Sequence, residues 1–346
     1  MAAHPLPEHL VNRQWIYRQR PTDVVGEAHY ALQETTLSTA LAPGEVLLAA
    51  HYISVDPYMR INQSSQPTWM EPHPLDAVQG AGVVAQVLAS AADGLSTGQW
   101  VSAYTGWQTL AKAHISGLTP LDPGQAPVTT ALGVLGMPGR TAWFGLTEVG
   151  RAKAGEVVVV SGASGAVGSL VVQFAKRHGC TVVGIAGGAH KCEFVTGRLG
   201  ADFAIDYRAH ASSETLGEAI RAVVGGVDVY FDNVGGQVTD AVLPLINRRA
   251  RVIICGQISQ YSAGLDTPAQ GPRLLHHLLY QRATVQGILA RDYTHRMDEM
   301  LAVVGPWVQA GQVVFEQTMV EGFEQLPATL NRLFTGEHLG KLLVKV

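Results

Sequence analysis

The chain has 346 residues, 47% of them hydrophobic and 15% charged, with a net charge of −4. It is long enough for two domains with substantial cores, and without a basic run it is not expected to bind nucleic acid or an anionic membrane surface. Cys180, Cys192 and Cys255 form an odd, sparse set, which fits free thiols in a reducing cytoplasm and argues against a disulfide framework.

The opening M-A-A-H-P-L-P-E-H-L has neither a basic n-region nor an apolar h-region, so no signal peptide is expected. Residues 1–135 read as mainly β. Strand composition marks 12–17, 45–53, 82–88 and 99–104, with turn signals at Pro43-Gly44, Asp93-Gly94 and Pro123-Gly124. Asp56 suits an N-cap and Pro57 a first helical turn, so a short helix is predicted there. Pro67, Pro72 and Pro74 make 63–74 an irregular loop, suited to covering a pocket. Composition shifts at Gly136-Met137-Pro138-Gly139, and a helix is predicted from Gly139 toward Val149.

From Glu156 onward strands and helices alternate. Strands are predicted at 156–161, 181–186, 203–206, 228–232 and 250–255, with helices at about 166–178, 190–199, 213–224 and 236–245. That pattern predicts a doubly wound parallel sheet with helices on both faces. An irregular stretch over 257–273 follows, then a strand at 285–290 and a helix at 294–309. The end, with strands at 315–320 and 341–346 around a helix at 323–334, reads as a return to the first domain. The expected division is a β-rich domain of residues 1–135 and 312–346, and a nucleotide-binding domain of residues 136–311.

Residues 157–176 read V-V-V-V-S-G-A-S-G-A-V-G-S-L-V-V-Q-F-A-K. The valines suit a buried parallel strand, and Ser169 to Lys176 have helical spacing. Residues 157–175 are uncharged, but the central glycines and serines argue against a membrane span. Ala163, Gly165 and Gly168 make an A-x-G-x-x-G form of the dinucleotide fingerprint. The small residue permits the tight turn, Gly165 lets backbone approach a pyrophosphate, and Gly168 lets helix pack on strand. The phosphates would then face the positive end of the new helix. Where an NAD-selective unit carries an acid for the adenosine ribose, the second strand ends Gly184-Ile185-Ala186-Gly187-Gly188, with Lys191 following. Small residues and a cation favour NADP(H), although a lysine at a helix start is also commonly just solvated.

Other chemistries leave less trace. There is no C-x-x-C, no H-E-x-x-H and no Tyr-x-x-x-Lys, and the histidines are scattered. Tyr58 and Tyr261 are candidate acid groups, although a tyrosine at a helix start or in a loop is more often structural. Tyr261 stands just beyond the fifth strand of the sheet, on the rim where such folds bind ligands.

Beside these features stand N-R-Q-W at 12–15, S-V-D-P-Y-M-R at 54–60, Gly136 to Gly139 with Thr141 and Ala142, Lys191-Cys192, Y-F-D-N-V-G-G at 230–236, C-G-Q-I-S-Q-Y at 255–261 and Gly340-Lys341. Almost end to end, the chain resembles the zinc-independent medium-chain dehydrogenase/reductases, within the group of leukotriene B4 dehydrogenase, prostaglandin reductase and curcumin reductase. The resemblance implies a GroES-like β-rich catalytic domain beside the Rossmann domain. It implies NADPH-dependent reduction of a carbon–carbon double bond conjugated to a ketone or aldehyde, without metal. Zinc-dependent relatives use cysteine and histidine ligands, and no cysteine precedes position 180 here.

Carried onto this sequence, the resemblance puts Gly165, Ala166, Val167 and Gly168 at the diphosphate. Lys191 and Tyr207 fall at the 2′-phosphate. Asn233, Cys255, Gly256, Ile258, Ser259, Tyr261 and the backbone of Ile288 and Leu289 fall around the ribose and nicotinamide. Tyr261 becomes the leading hydrogen-bond donor and Tyr58 a second polar wall. Two positions depart from the pattern: His338 replaces a common asparagine near the cofactor, and Trp143 replaces a common tyrosine. A homodimer paired through the edge of the nucleotide-domain sheet is expected. A quinone reductase of the same superfamily, or a non-catalytic NADPH-binding protein, are the rival readings.

Overall fold

The computed structural model of the chain describes residues 6–262 and 269–346. Residues 1–5, on which part of the signal-peptide reading falls, and 263–268, the middle of the predicted irregular stretch, lie outside the described residues.

The first part of the chain builds eight strands: β1 (His9–Tyr17), β2 (Tyr30–Ser38), β3 (Glu45–Ser54), β4 (Ala77–Val78), β5 (Val83–Ser90), β6 (Trp100–Ala103), β7 (Leu110–His114) and β8 (Thr119–Leu121). Helix α1 (Tyr58–Asn62) forms where the sequence predicts a short helix but starts one residue later: Pro57 is the N-cap, and the Asp56 carboxylate turns to Ser54 and Lys341 instead of capping. Strand β2 was hidden in Y-A-L-Q-E-T-T-L-S, whose polar residues face solvent, yet it pairs with β1 along its whole length. Strand β7 is likewise half polar and pairs with β3.

The second part alternates. Helix α2 (Met137–Phe144) runs on as one π-helical turn over Gly145–Val149. Then come β9 (Val157–Ser161), α3 (Gly168–Arg177), β10 (Thr181–Ala186), α4 (Ala189–Gly197), β11 (Phe203–Asp206), α5 (Ser213–Val224), β12 (Val227–Asp232), α6 (Gly236–Val242) and β13 (Ile246–Ile254). Helix α7 (Leu275–Gln281), β14 (Thr284–Gly287) and α8 (Met297–Gln309) complete it. The six strands form a parallel sheet in the order β11-β10-β9-β12-β13-β14. The order reverses between β9 and β12, so the ends of these two strands frame the switch-point crevice.

Burial on both faces explains why β9 is a run of valines rather than an alternation. Val158 and Val160 pack with Phe144, Leu170, Phe174 and Met300 on one side. Val159 packs with Ile185, Tyr230, Ile220 and Val242 on the other. All three are fully buried, each contributing about 1.5–3 kcal/mol relative to exposure.

The chain then returns. Strand β15 (Gln317–Glu321), helix α9 (Leu326–Thr335) and β16 (Lys341–Lys345) follow. Strand β16 pairs antiparallel with β3, Val344 opposite Ile53, and extends the sheet β15-β16-β3-β5-β6-β8. Leu326 and Leu330 of α9 join the core of Trp15, Tyr17, Val46 and Val87.

Candidate active site

The fingerprint turn closes as its spacing requires. A Cβ at Gly168 would fall 2.2 Å from the Gly162 carbonyl oxygen, so only glycine lets α3 pack there. A Cβ at Gly165 would meet only that same oxygen, at 3.3 Å, and would otherwise project into the space left for a ligand. Gly165, Ala166 and Val167 thus lead into α3 at its positive end, where a diphosphate is favoured.

The neighbouring turn after β12 is locked by one carboxylate. Asp232 Oδ1 accepts from Ser161 Oγ at 3.0 Å, Tyr230 Oη at 2.9 Å, Val234 N at 3.0 Å and Gly235 N at 2.9 Å. Asn233 then ties the two turns together, its Nδ2 donating to the Ser161 carbonyl at 2.7 Å. The backbone after β13 is hung on this frame. Cys255 N donates to the Asp232 carbonyl at 2.8 Å and Gly256 N at 3.1 Å. Ser259 donates to the Val234 carbonyl through both its N, at 3.1 Å, and its Oγ, at 2.6 Å. Burial pushes the Cys255 thiol up to about 12, so it is no nucleophile at neutral pH.

Tyr261 ends this loop. Its hydroxyl oxygen accepts from Gln257 N at 2.7 Å and sits over Gly256, where a Cβ would be 3.0 Å away. Burial pushes its pKa up to about 12 against the pull of the Gln257 N–H. The hydroxyl is therefore neutral, and with a lone pair committed it has its own hydrogen to donate.

Across the cleft, α1 carries Tyr58. Burial raises its pKa well above the usual phenol value, with Asp56 and a hydrogen bond to Tyr104 adding to the shift. Asp56 is paired with Lys341 Nζ at 3.2 Å and also accepts from Ser54 Oγ. Ile258 and Tyr58 pack on the same apolar cluster, which brings the Tyr261 loop against α1. Among the described residues no hydrogen bond joins the two tyrosines. The predicted loop 63–74 also reaches the nucleotide side, with Arg291 Nη1 donating to the Trp69 carbonyl at 3.0 Å. Ile288 hangs from β13 through a 3.1 Å bond to the Ile254 carbonyl, and its side chain is buried in the core. Trp143 is a packing residue, edge-on to Phe174 and Trp307.

A second group lies at the ends of β10 and β11. A Cβ at Gly187 would stand 2.8 Å from the Tyr207 ring and 2.9 Å from Arg208 Nε; one at Gly336 would stand 3.3 Å from Arg208 Nη2 and 3.7 Å from Lys191 Nζ. Lys191, Tyr207 and Arg208 therefore converge on one spot. Burial and the Arg208 charge lower the Lys191 pKa, which is the mark of two cations facing each other. The nearby Asp206 carboxylate is turned to backbone, accepting from Gly188 N at 2.8 Å and Arg208 N at 3.0 Å. An anion between the cations would relieve their repulsion. Arg208 was missed in the sequence, where the only signal was a cation beside Tyr207.

The return segment roofs both groups. Gly336 meets the cation pair, and Gly340 N donates to the Ser164 carbonyl at 2.7 Å on the fingerprint turn. His338 lies between. Its Nδ1 donates to the Arg332 carbonyl at 3.2 Å, and burial, then Lys191, hold its pKa down at about 4. It is neutral at physiological pH, so Nε2 is an acceptor.

The open space at Gly165, the cation pair and the glycines at the ribose position fit a dinucleotide with a 2′-phosphate. Zinc does not fit: among the described residues no three His, Cys, Asp or Glu side chains gather to hold a metal ion.

Fold and site together define a nucleotide-dependent oxidoreductase. Residues 13–121 match the family described as the N-terminal domain of oxidoreductase, and residues 166–305 match zinc-binding dehydrogenase. The NADPH-dependent curcumin reductase of Escherichia coli is 38% identical over 97% of each chain. The 2-alkenal reductase (NADP(+)-dependent) of Nicotiana tabacum is 36% identical over 99% of both, and prostaglandin reductase 1 of Mus musculus 37% identical over 96% of this chain and 98% of its own. The crystal structure of CurA in complex with NADPH from Vibrio vulnificus has a TM-score of 0.89 at 39% identity, over 96% of this chain and 99% of that one. The chain belongs to the medium-chain dehydrogenase/reductases, in the zinc-independent group of curcumin, prostaglandin and alkenal reductases.

Proposed function

We propose that this protein uses NADPH to reduce the carbon–carbon double bond of α,β-unsaturated ketones or aldehydes. The observation that carries the reading is the neutral Tyr261 hydroxyl just beyond the carboxyl end of β13, its oxygen accepting from Gln257 N–H and its hydrogen given to no acceptor among the described residues. When bound, NADPH supplies the hydride for the β-carbon. Gly165 to Gly168 cradle the diphosphate, Lys191, Tyr207 and Arg208 take the 2′-phosphate, and His338 roofs the adenosine side. Asn233, Cys255, Gly256, Ile258, Ser259 and the backbone of Ile288 and Leu289 line the ribose and nicotinamide end. Tyr261 donates to the carbonyl oxygen as negative charge collects there, the role an oxyanion donor plays. Tyr58 forms the opposite polar wall. The test is NADPH oxidation with an enone, before and after dialysis against a strong chelator. Steady turnover at an unchanged rate is expected. Turnover with quinones only would favour the quinone reductase, a metal-restored loss would overturn the metal-free chemistry, and binding without turnover would make the protein non-catalytic.

The same reading divides the chain at 135/136 and 311/312, between the six-stranded parallel sheet and the two sheets of the β-rich part. The free cysteines support a cytoplasmic setting. No helix among the described residues is long and apolar enough to cross a membrane. A homodimer is supported by the edge of the parallel sheet. Helix α7, packed on β13, exposes Leu275, Leu279 and Tyr280, and β14, the terminal strand, is exposed along its length. Exposed apolar residues on α7 and an edge strand unpaired among the described residues suit a second copy. Light scattering is expected to give a dimer, and Leu279→Glu with Tyr280→Glu a monomer; a wild-type monomer at micromolar concentration would overturn this.

A further inference from the structure

Arg60 has no part in hydride or proton transfer, yet it touches both halves of the cleft. It lies on α1 two residues after Tyr58, and its residue is only 1% exposed. Its Nη2 donates to the Ser262 carbonyl at 3.0 Å, and to the carbonyls of Pro21 at 3.2 Å and Asp23 at 3.3 Å. Ser262 directly follows Tyr261 and is 202 residues away from Arg60 in sequence. The loop of Tyr261 is thus held twice. Its first residues hang on the nucleotide sheet, through the bonds of Ile258 N to the Asn233 carbonyl and of Ser259 to the Val234 carbonyl. Its last described residue hangs on α1, through Arg60. Among the described residues, the Arg60 bond to Ser262 is what ties the end of the loop that carries the donor to α1.

The residue type suits the task. A guanidinium is planar, permanently charged and able to serve several carbonyls from a fixed fork, whereas a lysine presents one compact charge on a flexible stem. The tie also joins the two groups that face the substrate. Tyr58 is on the same short helix as Arg60, and Ile258 packs beside Tyr58 on the same cluster.

We propose that Arg60 is a positioning residue, fixing the Tyr261 loop to the helix of Tyr58 so that the donor stays set against the substrate carbonyl. This rests on Tyr261 being that donor. A misplacement of about 1 Å costs a reaction on the order of 10²-fold, and a lysine that keeps part of the tie should cost less. Arg60→Lys is therefore expected to lower kcat about tenfold while the NADPH Kd, read by fluorescence titration, stays within about twofold. In a Tyr261→Phe background the same substitution is expected to cost less than about twofold, because residues acting through one another are not additive. Amide exchange over 257–262 should rise in Arg60→Lys while exchange over 157–176 does not. Arg60→Gln, which keeps a donor but no charge, replaces the lysine if that variant does not fold. Equal losses of kcat in both backgrounds, or exchange rising alike in both segments, would show that Arg60 only supports the fold. If Tyr261→Phe alone loses less than threefold, the tyrosine is not the donor; the tie itself is then judged by the exchange of 257–262, and unchanged exchange there overturns it.

Discussion

Tyr261→Phe is expected to lower kcat about 10²-fold with an enone substrate, the scale of losing one oxyanion donor. NADPH affinity should stay within about twofold, because the ring remains and only the hydroxyl leaves. The structural cost is small. The one bond the hydroxyl accepts, from Gln257 N, lies at an exposed residue where water can replace it. The pH dependence follows from the same group. Its pKa is raised to about 12 by burial, so the donating form is the protonated one and is fully present below that value. The Tyr261-dependent part of the rate should be flat through neutral pH and fall only as pH approaches 12. A loss under threefold in Tyr261→Phe would move the donor to Tyr58, a ribose hydroxyl or water.

The second large effect is on the cofactor. Lys191→Ala is expected to weaken NADPH binding about tenfold. A lysine–phosphate contact is charge-assisted, typically about 1.5–3 kcal/mol, part exposure pulls it to the low end, and about 1.4 kcal/mol is a factor of ten. Arg208 faces the same spot, so Lys191→Ala with Arg208→Ala should weaken NADPH on the order of 10²-fold. NADH should bind the variants almost as it binds the wild type, since it has no phosphate to lose. Raised salt should weaken wild-type NADPH binding more than that of the double variant. Arg208 also donates to the Thr335 carbonyl at 3.3 Å, at the end of α9, so NADH is the control for a general loosening there. Equal losses for both nucleotides would show that the cations support the fold instead of reading the phosphate.

What could be read in the sequence follows burial. Strands β9 and β10, and the ends 229–232 of β12 and 252–254 of β13, are largely covered on both faces, and their apolar runs stood out. Strand β2 is exposed through its middle, at Leu32, Gln33 and Glu34, and Q-E-T-T broke its pattern although β1 pairs with all of it. Helix α7 lay unseen because its face, L-H-H-L-L-Y-Q, is apolar and unburied, which fits no single-chain template. The site divides in the same way. Gly165 and Gly168 were legible because their spacing is backbone geometry, and Lys191 because a cation stands where an NAD-selective unit has an acid, although a solvated lysine fits the same place. Tyr261 was legible only through the resemblance of its loop to the family. Arg208, Arg60 and the Asp56–Lys341 pair were not legible, since each depends on contacts between segments far apart in sequence.

The most direct measurement follows the hydride. NADPH carrying deuterium at the transferred position of the nicotinamide C4 is incubated with the enzyme and an enone, and the product is read by NMR and mass spectrometry. The expected product is the saturated ketone, its carbonyl intact and one deuterium on the former β-carbon. Deuterium on the carbonyl carbon, giving an allylic alcohol, or no consumption of NADPH with any enone, would contradict the assignment.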